Sequence, residues 1–150
     1  MPEQMNPSAV YQQPHLNLKR LEVLVGLWDL SGETHGQVNY EWLAGGFFLL
    51  QHVNFEHGDN KIKGLEVIGH LKPFGEEPSQ DIKSRFYSST GDTLDYVYEL
   101  SDNILMIWGG EKGSPAYYKG AISPDGNTIT GAWVFPGGGG YSTIMTRVVQ

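Results

Sequence analysis

Polar and apolar residues alternate with a period of two from Trp28 onward. In GLWDLSGET, Asp29, Ser31 and Glu33 interleave with Trp28, Leu30 and Gly32, the pattern of a strand with one face in a core. The same reasoning predicts strands at Val38–Leu43, Phe47–Phe55, Ile62–Leu71, Ile82–Ser88, Thr93–Leu100, Ile104–Trp108, Ala116–Ile122, Thr128–Phe135 and Thr143–Val149, about ten with the first. Their connections include EHGDN, STGD, LSDN, SPDGN and PGGGG. These short, glycine- or Asx-bearing turns join antiparallel neighbours. None leaves room for a crossover helix, and an open sheet of so many twisted strands curls or splits. The expected fold is therefore all-β: a single antiparallel up-and-down barrel, with a two-sheet sandwich as the alternative.

Upstream of Trp28 the period is different. Leu16, Leu21 and Leu24 recur at near-helical spacing between Pro14 and Gly26, which predicts a short helix of one or two turns. Residues 1–14 are polar and proline-bearing, and are expected to form a frayed leader to a barrel domain spanning 15–150.

Composition narrows the class of partner. The 150 residues include 20 glycines and no cysteine, and the formal net charge of −7 is spread over both halves of the chain. No basic face exists to neutralise phosphates, so nucleic acid is not an expected partner. Without cysteine there is no disulfide framework, thiolate nucleophile or thiolate-bound metal. No apolar run is long enough for a signal h-region or a membrane span, so the expectation is a soluble cytoplasmic protein with no membrane partner.

Gly26-Leu27-Trp28, after a short helix and at the mouth of the first strand, resembles the Gly-x-Trp signature of the calycin superfamily of lipocalin-like barrels. Arg147, in TIMTRV near the end of the last strand, matches the basic residue those proteins place over the indole. The resemblance implies a structural plug of Gly26, Trp28 and Arg147 closing one end, held by ring burial and cation–π attraction. LVGLWDLSGE, YEWLAGGFFLLQHV, GLEVIG and DGNTITGAW together resemble a bacterial family of small barrels of unknown function. The related nitrobindins hold haem through a late histidine. The histidines here are His15, His35, His52, His57 and His70, so no haem or other cofactor is expected.

Candidate site residues are the polar side chains that interrupt apolar strand segments. In GFFLLQHVNF one parity carries Gln51 and the other His52, and either face suits a barrel interior; the simpler placement of His52 is an outer, solvated or dimer-forming face. In GLEVIGHL, Glu66 shares parity with Ile68 and His70, opposite Leu65, Val67 and Leu71. Glu41 and Arg85 are charges flanked by large apolar or aromatic residues, and burial of either requires a partner or a ligand. Tyr96, Tyr98 and Trp108 supply hydroxyl and indole donors suited to a small carbonyl-bearing or cyclic ligand. The pair His52-x4-His57 has the wrong parity for a shared metal, and the glycines at 137–140 precede no helix and cradle no phosphate.

These features point to interior binding of a small apolar or aromatic molecule by Glu41, His52, Glu66, Arg85, Tyr96, Tyr98 and Trp108. The alternative is a cofactor-free isomerase or cyclase using acid and base groups of the same cavity. Homodimerisation through an exposed strand or barrel face is the third reading.

Overall fold

Alternation of the kind seen at Trp28 has a geometric consequence, since every second side chain of a strand in a closed sheet must enter the interior. A computed structural model describes residues 13–149 and shows this closure. The strands are β1 (Gly26–Gly32), β2 (His35–Trp42), β3 (Phe48–His57), β4 (Asn60–Gly69), β5 (Ile82–Ser88), β6 (Thr93–Ser101), β7 (Ile104–Gly109), β8 (Tyr117–Ile122), β9 (Thr128–Val134) and β10 (Tyr141–Arg147). Each pairs antiparallel with its sequence neighbours, and β1 pairs with β10 to close the barrel. The closing register sets Trp28 opposite Arg147 and Leu30 opposite Met145. That pairing excludes a two-sheet sandwich.

Predicted and observed strands differ mainly at their ends. β2 starts at His35 because His35, Gly36 and Gln37 already pair with Glu56, Phe55 and Asn54 of β3. β10 spans Tyr141–Arg147 rather than 143–149, because Tyr141 already pairs with Trp133 on β9. Between β6 and β7 the turn residues Asp102 and Asn103 have φ of 52° and 64°. Positive φ at both central positions is what a tight hairpin with right-handed strand twist requires, and Asx residues tolerate it.

Before the barrel, α1 (Leu16–Lys19) runs into a 3-10 turn at Arg20–Leu24. Leu18, Leu21 and Leu24 from this segment are fully buried with Trp28, so the helix stoppers one end. Trp28 Nε1 donates to the Leu24 carbonyl at 2.8 Å. The Arg147 guanidinium lies 4.3 Å from the Trp28 ring and donates to the carbonyls of Val25, Val23 and Gly126 at 2.5, 2.7 and 3.1 Å. Gly26 is required here, because its φ is +127° and a Cβ would stand 2.7 Å from Arg147 Nη1. The plug of Gly26, Trp28 and Arg147 is thus one packed, hydrogen-bonded unit.

Residues 1–12 of the expected leader lie outside the described residues. Among the described residues no helix is long and apolar enough to cross a membrane.

Candidate functional site

Above the plug the barrel is not filled. A cavity of about 570 Å³ runs from the level of Tyr40, Tyr98 and Met145 to a rim that includes Thr34, Phe55, Gly110 and Phe135. Its wall is mostly apolar and aromatic, with a few polar groups gathered on one side, the character of small-molecule sites in general.

Those polar groups centre on Glu66. In β4 the inward set is Ile62, Gly64, Glu66 and Ile68, and Glu66 is 4% exposed. Its Oε2 accepts a hydrogen bond from Ser84 Oγ at 2.5 Å, and its Oε1 accepts one from the Tyr98 hydroxyl at 2.8 Å. Gln51 is its cross-strand partner on β3, and Tyr40 is in turn the partner of Gln51 on β2. Tyr40, Gln51, Glu66, Ser84 and Tyr98 therefore form a belt across five adjacent strands. Burial pushes the Glu66 carboxyl up from 4.5 to about 7, while the Ser84 and Tyr98 hydrogen bonds hold it partly down. Burial, reinforced by the Glu66 charge, raises the Tyr40 and Tyr98 hydroxyls well above their usual range, and raises Tyr96 as well. These phenols are fixed donors at any physiological pH.

The facing wall is aromatic. Trp133 of β9 lies five strands from Glu66 in either direction around the closed barrel. Its ring centroid is 5.6 Å from Tyr96 and 5.5 Å from Tyr118, and it stacks on Phe135 at 6.0 Å. Tyr118 folds across Gly120 and Gly131, where a Cβ at either position would fall 2.6 Å from its hydroxyl. Thr34 Oγ1 is a buried side-chain oxygen without a hydrogen-bond partner among the described residues, and it lies in the cavity wall, as does the Tyr118 hydroxyl beside Thr143.

The structure separates the residues predicted from sequence into two groups. Glu66, Tyr96 and Tyr98 line the cavity together. Glu41, His52, Arg85 and Trp108 do not line it, which corrects the ligand-binding role expected for them, and His52 takes the outer face that was its simpler placement. Glu41 Oε2 and His52 Nε2 are 2.6 Å apart on the outer face, each about half exposed. Arg85 makes a two-point contact with Asp95 at 2.6 and 3.0 Å, also half exposed. Trp108 donates its indole N–H to Glu99 at 2.8 Å, beside Tyr117 on the outside of β7 and β8. Each of these polar groups finds a cross-strand partner in water, which relieves the burial cost that had suggested an inward ligand.

His70 sits past the end of β4, with Nδ1 2.6 Å from the Ser79 carbonyl and Nε2 3.1 Å from Asn17 Oδ1. Its ring packs on His15 at 4.6 Å, so it ties the 70–81 segment to the N-terminal helix. Among the described residues no three His, Asp or Glu side chains converge as a metal site.

Sequence reasoning passed over Tyr40, Ser84 and Thr34, and left the parity carrying Gln51 and that carrying His52 equally open. Gln51 shares parity with Leu49, Val53 and Phe55, and Ser84 stands between Ile82 and Phe86 on the inward register. A search for uncharged polar residues interrupting apolar parity, rather than for charges, finds both.

No protein-family model matches the chain, and no curated protein matches it. The functional reading therefore rests on the geometry of this cavity.

Proposed function

We propose that the protein binds a small, largely apolar molecule inside the barrel, oriented by hydrogen bonds to Glu66 and its neighbouring hydroxyls. The observation that carries this reading is the pairing of a roomy apolar cavity with one buried carboxyl whose two oxygens each accept a single hydrogen bond. A carboxylate offers about four lone-pair sites, so capacity remains for a ligand donor. A stopper at one end and an unfilled interior are also what the calycin resemblance implies. The test is a titration with N-phenyl-1-naphthylamine, an apolar probe that fluoresces when shielded from water. Saturable enhancement at one probe per chain, with energy transfer reduced in Trp133→Phe, supports interior binding. No saturable enhancement overturns it.

One observation favours a second reading at the same site. A carboxyl near pH 7 hydrogen-bonded to a phenol is suited to moving a proton on a bound carbonyl compound. Glu66-dependent exchange of the α-hydrogens of 2-tetralone in D2O, followed by NMR and absent in Glu66→Gln, supports this acid/base role. Equal exchange in both proteins removes it.

A further inference from the structure

Resting on the binding reading, we propose that the cavity selects its ligand by charge, accepting an apolar amine as its cation and excluding carboxylic acids. Among the described residues, those lining the cavity include no lysine, arginine or histidine. An anionic ligand brought inside would therefore meet no counter-charge, and desolvating an unpaired anion is costly. Among the described residues Glu66 is the one carboxyl enclosed within the wall; Asp95 also lines the cavity but is already engaged by Arg85 on the outside.

The groups facing Glu66 reinforce this polarity. They are Tyr40 from β2, Gln51 from β3 and Tyr96 and Tyr98 from β6 in the cavity wall, with Tyr118 and Tyr141 on its far side, and Ser84 from β5 hydrogen-bonded to the carboxylate. None carries a positive charge. Ser84 and Tyr98 donate to Glu66, one to each oxygen, and so stabilise its anionic form while leaving acceptor capacity for the N–H groups of an ammonium. Tyr40, Phe86, Tyr96 and Tyr98 line the cavity with Glu66, and Tyr118 and Trp133 line its far wall. Ring faces attract a cation, most strongly where water is excluded. Thr34 Oγ1, a buried oxygen without a partner among the described residues, can accept from or donate to a second polar group farther along the same molecule.

Binding a cation beside Glu66 requires the carboxyl to be ionised. Below pH 7, where Glu66 is largely protonated, the amine must expel that proton to the solvent, whereas a neutral alcohol of the same shape need not.

Isothermal titration calorimetry of the full chain tests this with three probes on one skeleton: 2-naphthylmethylamine, 2-naphthylmethanol and 2-naphthoate. Benzyl and anthracenyl homologues of each extend the range of sizes. At pH 8 the amine is expected to bind at least tenfold tighter than the alcohol, with the carboxylate weakest. At pH 6, titrations in two buffers of different ionisation enthalpy should show release of up to about one proton on amine binding and none for the alcohol. In Glu66→Gln, its fold checked by far-ultraviolet circular dichroism, the preference for the amine over the alcohol and the proton release should both vanish. Alcohol or carboxylate binding as tight as the amine, or amine binding without proton release at pH 6, overturns charge selection and leaves interior binding standing. Failure of all probes on every skeleton overturns the binding reading itself.

Discussion

Replacing Glu66 by glutamine should make the protein more stable at alkaline pH and leave it nearly unchanged in acid. Gln stands in for the protonated carboxyl without being able to ionise. The wild-type group has a folded value of about 7 against 4.5 for an ordinary glutamate, and each pH unit of such a difference corresponds to about 1.4 kcal/mol, so ionising Glu66 in place costs about 3 kcal/mol. Below pH 4.5 the folded and unfolded chains both hold the proton, and nothing is lost. Between 4.5 and 7 the unfolded chain gives up its proton while the folded one keeps it, so wild-type stability declines. Above 7 both forms are ionised and the full loss is present. The variant escapes that loss. Any cost of exchanging the Ser84 and Tyr98 hydrogen bonds for those of an amide, about 1 kcal/mol, is the same at every pH and cancels in the comparison. Urea unfolding followed by tryptophan fluorescence at pH 4, 6 and 8 should show the stability of Glu66→Gln relative to wild type rising by about 3 kcal/mol across that range. A difference constant to within about 0.5 kcal/mol, or falling with pH, refutes the buried placement of this carboxyl.

Tyr98→Phe removes one of the two hydrogen bonds that hold Glu66 down, so the upper end of the pH range over which stability falls should rise by about one unit. Trp28→Ala empties the fully buried plug and should cost about 3–5 kcal/mol in denaturant unfolding; Arg147→Ala, which frees three carbonyls but leaves the indole in place, should cost less. Hemin should give no stoichiometric Soret shift that survives gel filtration, since among the described residues no histidine lines the cavity and its propionates meet no cation there.

Alternation and turn chemistry made the barrel legible because both are local. Trp28 with Leu30, and Ile82 with Phe86, mark inward parity directly, and the Asx turn at Asp102–Asn103 marks a hairpin. Facing was harder where both parities are apolar. In β4, Leu65 and Val67 compete with Ile68 for the interior, and only pairing with β3 and β5 decides that Glu66 points in. The outer ion pairs were misread for the same reason. Arg85 sits in an aromatic stretch, IKSRFYSS, that reads as interior until Asp95 is brought across from β6. Partners ten or more residues away in sequence are invisible to a pattern of period two.

The account stands most directly on the titration of one carboxyl, which NMR of protein labelled with 13C at the glutamate δ-carbon can follow, assigning Glu66 by its loss in Glu66→Gln. In the free protein its resonance is predicted to titrate with a midpoint near 7, and saturation with 2-naphthylmethylamine should move that midpoint well below 7 as the ammonium stabilises the anion. A midpoint near the ordinary 4.5, or a titration curve unchanged by saturating amine, would contradict a ligand site built on Glu66.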